Sequence, residues 1–321
     1  MKANDINKVA PILQGLIHNA IVSSVHFVVA KCNGLGNNPQ EPDFIASLSL
    51  NFSQDLFNIL KAVFPKTKFS VTGVFCHQKP LADIGMSKDP EIGDLLLVYV
   101  YTDKRGSKKF NSLLLQAKIS TKITTVIAAT DQHQLKLYAE WPTFTYKRAG
   151  LLNGIKRDIL PKTINDGAQY LLIDDNPILG LSGRAGTFPM GCATPAKTLS
   201  INKDLTGEII DFLKFKSGRA FEQDPNKTKD EWTKMIWELL DITKAKASRR
   251  QNAGLRSFPR QSTNMFDGCC HFLSDTVSIF QDLHGELYHG DFNPNGDNFF
   301  DEENFSPSVV LIESNEQTDE E

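Results

Sequence analysis

Apolar and polar positions follow two rhythms along this chain, a helical one at both ends and a strand-like one between them. Good helix formers run over residues 7–31, opened by Asn-Asp and followed by Asn33-Gly34, which predicts a first long helix. After a Gly/Asn/Pro-rich loop, GLGNNPQEP, Pro42 stands where a second helix can begin, and residues 44–64 read as helical up to Pro65. From Lys68 the period changes, and KFSVTGVFC alternates like a half-buried strand. Residues 94–101 form a continuous β-rich run, DKRGSKK supplies a turn, and residues 110–120 (FNSLLLQAKIS) return, so the pair predicts a β-hairpin inside a sheet. Residues 131–146 hold a short helix that must stop at Pro142, and 168–174 is a further strand. Helices over 205–221 and 231–242 follow, the latter with Trp232, Met235, Ile236, Leu239 and Leu240 on one core-facing stripe. No repeat is visible at solenoid periods. The pattern predicts an α/β fold, a mixed β-sheet of four to six strands flanked by helices on both faces.

Composition refines this picture. With 321 residues, 40% hydrophobic and 23% charged, the chain has the make-up of a soluble globular protein, and a net charge of -3 gives no global attraction to nucleic acid. The charge is nevertheless polarised. KAKASRRQNAGLRSFPRQ, after Thr243, holds six basic residues (Lys244, Lys246, Arg249, Arg250, Arg256, Arg260) and no acid, whereas the chain beyond Gln281 is acidic and Asn-rich. The division expected is a folded domain over 1–243, a basic linker over 244–265, and a C-terminal segment over 266–321 with an acidic, disordered tail. Cys32, Cys76, Cys192, Cys269 and Cys270 are scattered and odd in number, as reduced thiols are. The opening MKANDINKV is not leader-like, and residues 17–30 are interrupted by His18, Asn19, Ser23, Ser24 and His26, so a cytoplasmic protein with no membrane segment is expected. Asp291–Glu302 has EF-hand-like spacing, but Pro294 and the lack of a following amphipathic helix favour a solvated tail. Cys269-Cys270-His271 and Cys76-His77 read as buried thiols rather than metal clusters, and Gly183-Arg184-Ala185-Gly186 is not a phosphate loop. Trp141 and Tyr146 are able to stack on bases, although Trp141, next to Pro142, is more often a packing residue.

Chemistry concentrates on the hairpin. Gln116 and Lys118 lie two apart on one strand and so share a face, and the partner strand brings Asp94 beside them. A carboxylate, an amide carbonyl and an ammonium at one spot suit phosphodiester hydrolysis: oxygen ligands for a hard cation, and a positive group for the attacking water or the developing charge.

Ile92-Gly93-Asp94, a loop, and then Leu114-Leu115-Gln116-Ala117-Lys118 resemble the PD-(D/E)xK superfamily of restriction-endonuclease-like nucleases, and Gln in place of the second acid is similar to its Mrr-type branch. Gln134-Leu-Lys-Leu-Tyr138, sixteen residues after the lysine, is similar to the Gln-x-x-x-Tyr element of RecB-type nucleases and puts both polar ends on one helical face. The resemblance covers about Gly93 to Tyr138. It departs from the family in the neutral Gln116 and in having no proline directly before Asp94. A further acid on a preceding helix is implied, and Glu41, Asp43 and Asp55 are the candidates, Glu41 being the working choice. The resemblance implies a restriction-endonuclease-like core and a Mg²⁺- or Mn²⁺-dependent deoxyribonuclease serving bacterial defence against foreign DNA. Asp94, Gln116 and Lys118 would be catalytic, and Asp94, Gln116 and Glu41 would hold the metal. Gln134 and Tyr138 would support the site or touch the substrate, and Arg249 and Arg250, in a basic run that is either a solvated linker or a phosphate contact, would bind substrate through its backbone. DNA is the expected partner and RNA the second choice, with a partner protein of a defence system or a second copy of the chain beside it. The rival is a catalytically inactive nucleic-acid-binding or adaptor subunit. On this division, deleting residues after Gln281 leaves a nuclease largely intact.

Overall fold

The computed structural model describes residues 1–76, 80–175, 188–253, 270–274 and 306–316, with 244–253 and 270–274 described by backbone alone. Helix α1 (Ala3–Gly34) buries Ile6 and, seven residues on, Leu13, then Ile17, Ile21, Val25, Val28 and Cys32 at three- and four-residue steps, the stripe that a helix lying on a core needs. It is long and apolar enough, by length and composition, to cross a membrane, but that stripe packs on the other helices of its layer. Residues 41–63 form one rod: α2 (Glu41–Ser47), a π turn (Leu48–Phe52) and α3 (Ser53–Val63). A capping box between Gln40 and Asp43, with Pro42 in the first turn, starts it. At the π turn the hydroxyls of Ser49 and Ser53 donate to the carbonyls of Ile45 and Ser49, each at 2.8 Å. The first strand lies so close that a Cβ on Gly73 would come within 1.7 Å of the Ser49 carbonyl oxygen; only glycine permits that approach.

The remaining elements are β1 (Thr67–Val74), β2 (Leu81–Asp83), β3 (Leu95–Thr102), β4 (Lys108–Ile119), β5 (Thr124–Val126), α4 (Gln132–Glu140), β6 (Phe144–Lys147), β7 (Lys156–Arg157), β8 (Ala168–Ile173), β9 (Met190–Ala193), β10 (Thr198–Asp204), α5 (Leu205–Leu213), β11 (Arg219–Phe221), α6 (Glu231–Ala253), β12 (Cys270–Ser274) and β13 (Ser308–Glu316). Among the described residues the main sheet has ten strands in the order β12-β1-β13-β3-β4-β8-β9-β10-β5, with β11 also on β4, and β2-β6-β7 form a second, small sheet. The main sheet is mixed: β3 and β4 are the antiparallel hairpin, while β13–β3 and β4–β8 run parallel. Alternation along the strands feeds two cores. Leu95, Leu97, Tyr99, Leu113, Leu115 and Ala117 join α1, α2, α3 and α5 on one face. Leu96, Val98, Leu114, Tyr170 and Leu172 join Leu137, Tyr138 and Trp141 of α4 and Trp232, Met235 and Ile236 of α6 on the other.

The α/β class and the flanking helices agree with the pattern, but three expectations change. The sheet is larger than four to six strands. The helix expected over 205–221 ends at Leu213: Phe215 and Gly218 take left-handed φ values of 59° and 78°, and the Asn111 side chain donates to the carbonyls of Phe212 and Ser217, so the chain turns into β11. The tail is the largest correction. Residues 308–316 form a central strand between β1 and β3 with Val309, Val310, Leu311 and Ile312 all buried, so the domain is not complete at 243. Burying four consecutive apolar side chains on both faces outweighs the acidic surroundings. α6 also runs on to Ala253, taking in the start of the expected linker. His77, Gly183–Gly186, Arg256, Arg260, Cys269 and Asp291–Glu302 lie outside the described residues, as do the side chains of Arg249, Arg250, Cys270 and His271.

Candidate active site

Asp94 stands one residue before β3, and its backbone N–H donates to the carbonyl of Leu115 at 3.0 Å, which lashes it to the far end of β4. Its Oδ2 then accepts from the Ala117 N–H at 2.7 Å and from Gln116 Nε2. Gln116 and Lys118 alternate with Leu115 and Ala117, so both point to the α4 face, beside Tyr170 and Leu172 of β8. The structure therefore brings Asp94, Gln116 and Lys118 together. Lys118 Nζ sits 3.1 Å from Asp131 Oδ2 and 3.9 Å from Glu41 Oε1, and the latter atom also accepts from the Ile119 N–H at 3.2 Å. Of the three candidate helix acids only Glu41 is held there. Asp43 caps α2, accepting from Gln40 N and Cys32 Sγ, and Asp55 lies in the first turn of α3.

The Gln-x-x-x-Tyr pair occupies one helical face, as its spacing requires, and its contacts are those of the first of its two expected jobs, supporting the site or touching the substrate. Gln134 Nε2 donates to the Glu91 carbonyl at 3.0 Å, and the Tyr138 hydroxyl donates to the Ile92 carbonyl at 2.8 Å. Both residues are buried, Tyr138 completely, and they position the segment leading into Asp94. Gly93 is part of the same fit, since a Cβ there would meet the Tyr138 hydroxyl at 2.8 Å.

Sequence reasoning missed three groups here. Glu91 adds its charge to the field at Asp94, Asp131 pairs with Lys118, and buried His133 lies in the field of that ion pair. Glu91 sits in the coil before β3 and Asp131 in the turn before α4, where no periodicity flags a side chain's direction. The sole signal was the nearness of Glu91 to Asp94 in sequence.

The electrostatics follow from four acids gathered around one lysine. Asp94 keeps some exposed surface, but its carboxyl is enclosed by protein; burial first, and Glu91 next, hold it well above the ordinary carboxylate range. Burial likewise raises Glu91 and Glu41, the latter against the pull of Lys118 and the Ile119 N–H. For Lys118, burial works to lower the pKa, but Glu41 and Asp131 together outweigh it and leave the ammonium favoured. Asp131, less enclosed, is lowered on balance by Lys118. His133 is held low by burial and by Lys88.

Among the described residues no three His, Cys, Asp or Glu side chains are grouped as a ready metal cluster. The donor set nevertheless fits a hard cation. Gln116 is 6% exposed and its buried Oε1 has no hydrogen-bond partner, while the nitrogen of the same amide donates to Asp94. The buried hydroxyl of Tyr170, the neighbour of Gln116 across β8, has none either. The chain matches no protein-family model, and neither a curated protein nor a solved structure matches it significantly.

Proposed function

We propose that this protein is a divalent-metal-dependent nuclease with a restriction-endonuclease-like core, acting on DNA before RNA, with Mg²⁺ or Mn²⁺ as cofactor. A cytoplasmic role in defence against foreign DNA, beside a partner protein or a second copy of the chain, belongs to the same reading. The observation that carries it is the convergence of Asp94, Gln116 and Lys118 at one sheet end, braced by Gln134 and Tyr138 from a single helix. A cation held by Asp94 and the Gln116 carbonyl would offset charge on the scissile phosphate and acidify a bound water.

The chain's own groups set the rest. Lys118 stays protonated, so it acts as a donor, holding the attacking water or a phosphate oxygen, and not as a base. Its side chain is 25% exposed and those of Glu41 and Asp131 33% and 28%, so the ion pairs open to the side from which a backbone phosphate would arrive. Glu41 and Asp131 orient the ammonium, while Gln134 and Tyr138 fix the backbone before Asp94.

A specific feature favours the rival binding module: the Gln116 amide donates to Asp94 and closes part of the carboxylate. Plasmid, linear DNA and RNA incubated with and without Mg²⁺ or Mn²⁺ separate the two readings. The nuclease cuts only with metal, and Lys118→Ala abolishes cutting while leaving DNA binding nearly unchanged. Wild-type cutting by Lys118→Ala sinks the site, and a protein that binds DNA but never cuts is the binding module.

A further inference from the structure

We propose that Leu151, at the tip of the β6–β7 loop, is an apolar wedge that enters duplex DNA at a base step while Arg148 and Lys156 hold the flanking phosphates; this rests on the nuclease reading. Leu151 is 98% exposed, and no other large apolar side chain among the described residues exceeds 64%. The loop does not need that leucine for its own packing, because Ala149 and Leu152 anchor it in the core that α4 shares with the sheet. Its backbone is equally fixed. The Ala149 N–H donates to Asn153 Oδ1 at 2.8 Å, the Gly154 N–H to the Tyr146 carbonyl at 3.0 Å, and the Tyr146 N–H to the Ile155 carbonyl at 3.0 Å. Arg148, with a φ of 51°, takes the left-handed backbone that Gly150 and Gly154 also adopt, at a steric cost that glycine does not carry. A braced turn thus holds Leu151 out in water, so that covering it loses little further backbone entropy.

Charge selects the occupant. Residues 141–157 contain Lys147, Arg148, Lys156 and Arg157 and no acid. Lys147 is engaged by Asp83 and Asp89, and Arg157 by Glu231 and Glu238. Arg148 and Lys156 are exposed and form no ion pair among the described residues. One leucine between two such cations is too small an apolar surface for a stable protein interface, which buries about 800 Å² on each partner. A base step asks for no more than this: one apolar side chain to part the stack, and cations for the phosphates beside it. The loop also stands near the proposed site. Leu81 pairs with Lys147 on one side and bridges to Glu91 on the other. The foot of the loop therefore lies two strand spacings, about 10 Å, from the segment that enters Asp94, a separation of a few base steps along a duplex.

The test is binding of the purified full-length protein to a short duplex carrying a fluorescent adenine analogue that brightens when unstacked. Binding is measured in EDTA, and again in Mg²⁺ with cutting disabled by Lys118→Ala. With Leu151 in place the fluorescence should rise on binding. Leu151→Ser should abolish the rise and weaken binding about tenfold, with native circular dichroism because the side chain is exposed. Replacing Arg148 and Lys156 together by alanine should lower the slope of log affinity against log salt by about two. DNA binding without any rise, or a rise that survives in Leu151→Ser, overturns the wedge; metal-dependent cutting by the wild-type protein then leaves the nuclease reading standing. Normal DNA binding by Leu151→Ser with loss of a dimer on size exclusion gives the tip to a second copy and equally overturns the proposal. A wild-type protein that neither binds nor cuts DNA overturns both.

Discussion

Gly93 and Tyr138 should behave as one unit when mutated. In Gly93→Ala the new methyl would lie 2.8 Å from the Tyr138 hydroxyl oxygen, 3.2 Å from Leu114 Cδ2 and 3.5 Å from the Leu115 carbonyl. The first contact is too short to stand, so the ring must move, and the hydroxyl then loses its 2.8 Å hydrogen bond to the Ile92 carbonyl. Overpacking costs about 1–3 kcal/mol, reduced by the ~0.4–1 kcal/mol that Gly→Ala gains by restricting the unfolded chain. Tyr138→Phe leaves the Ile92 carbonyl unpaired in the core and costs ~1–3 kcal/mol. It also removes the atom that blocks the methyl. Gly93→Ala in the Tyr138→Phe background should therefore cost under about 1 kcal/mol, because only the Leu114 methyl still has to give way. The assay is urea denaturation of the four proteins in EDTA, comparing midpoints at constant m. Strict additivity, with Gly93→Ala equally costly in both backgrounds, would refute the account of how α4 grips the segment leading into Asp94.

A chain ended at residue 281 lacks β13, leaves β1 and β3 without the strand between them, and should not fold; a soluble product with native circular dichroism would contradict the sheet order. Arg157 ties β7 to α6 through Glu231 and Glu238, all with little exposure, so Arg157→Met should destabilise by ~3–5 kcal/mol in urea, and adding Glu238→Gln should recover part of that loss. The Asp94 carboxyl is held above its ordinary value of 3.8, so the folded state binds that proton more tightly than the unfolded chain. The resulting stabilisation is full below that ordinary value and is lost as pH rises through the raised one. Stability measured in EDTA should fall for wild type relative to Asp94→Asn over that rise, and parallel curves would discount the buried Asp94–Glu91 pair.

Local pattern was enough to determine much of this protein. The alternation around 94–118 made a hairpin with Asp94 at its foot and Gln116 and Lys118 on one face, and helical spacing put Gln134 and Tyr138 together. Those features follow from periods of two and 3.6 residues, which every short stretch carries in itself. Tertiary structure decided the rest. Nothing in the neighbourhood of SVVLIESNE marks it as a central strand, since its partners β1 and β3 lie more than two hundred residues earlier; the link shows in Ser308, whose hydroxyl donates to the Cys76 carbonyl at 2.6 Å. The roles of Glu41 and Glu91 were likewise undetermined, because a carboxylate in a coil or at a helix start has no periodic face. Which acid serves the lysine and which acts on Asp94 through its charge depends on how the α2 helix and the β2 bridge pack against the sheet, contacts that the order of residues along the chain does not encode locally.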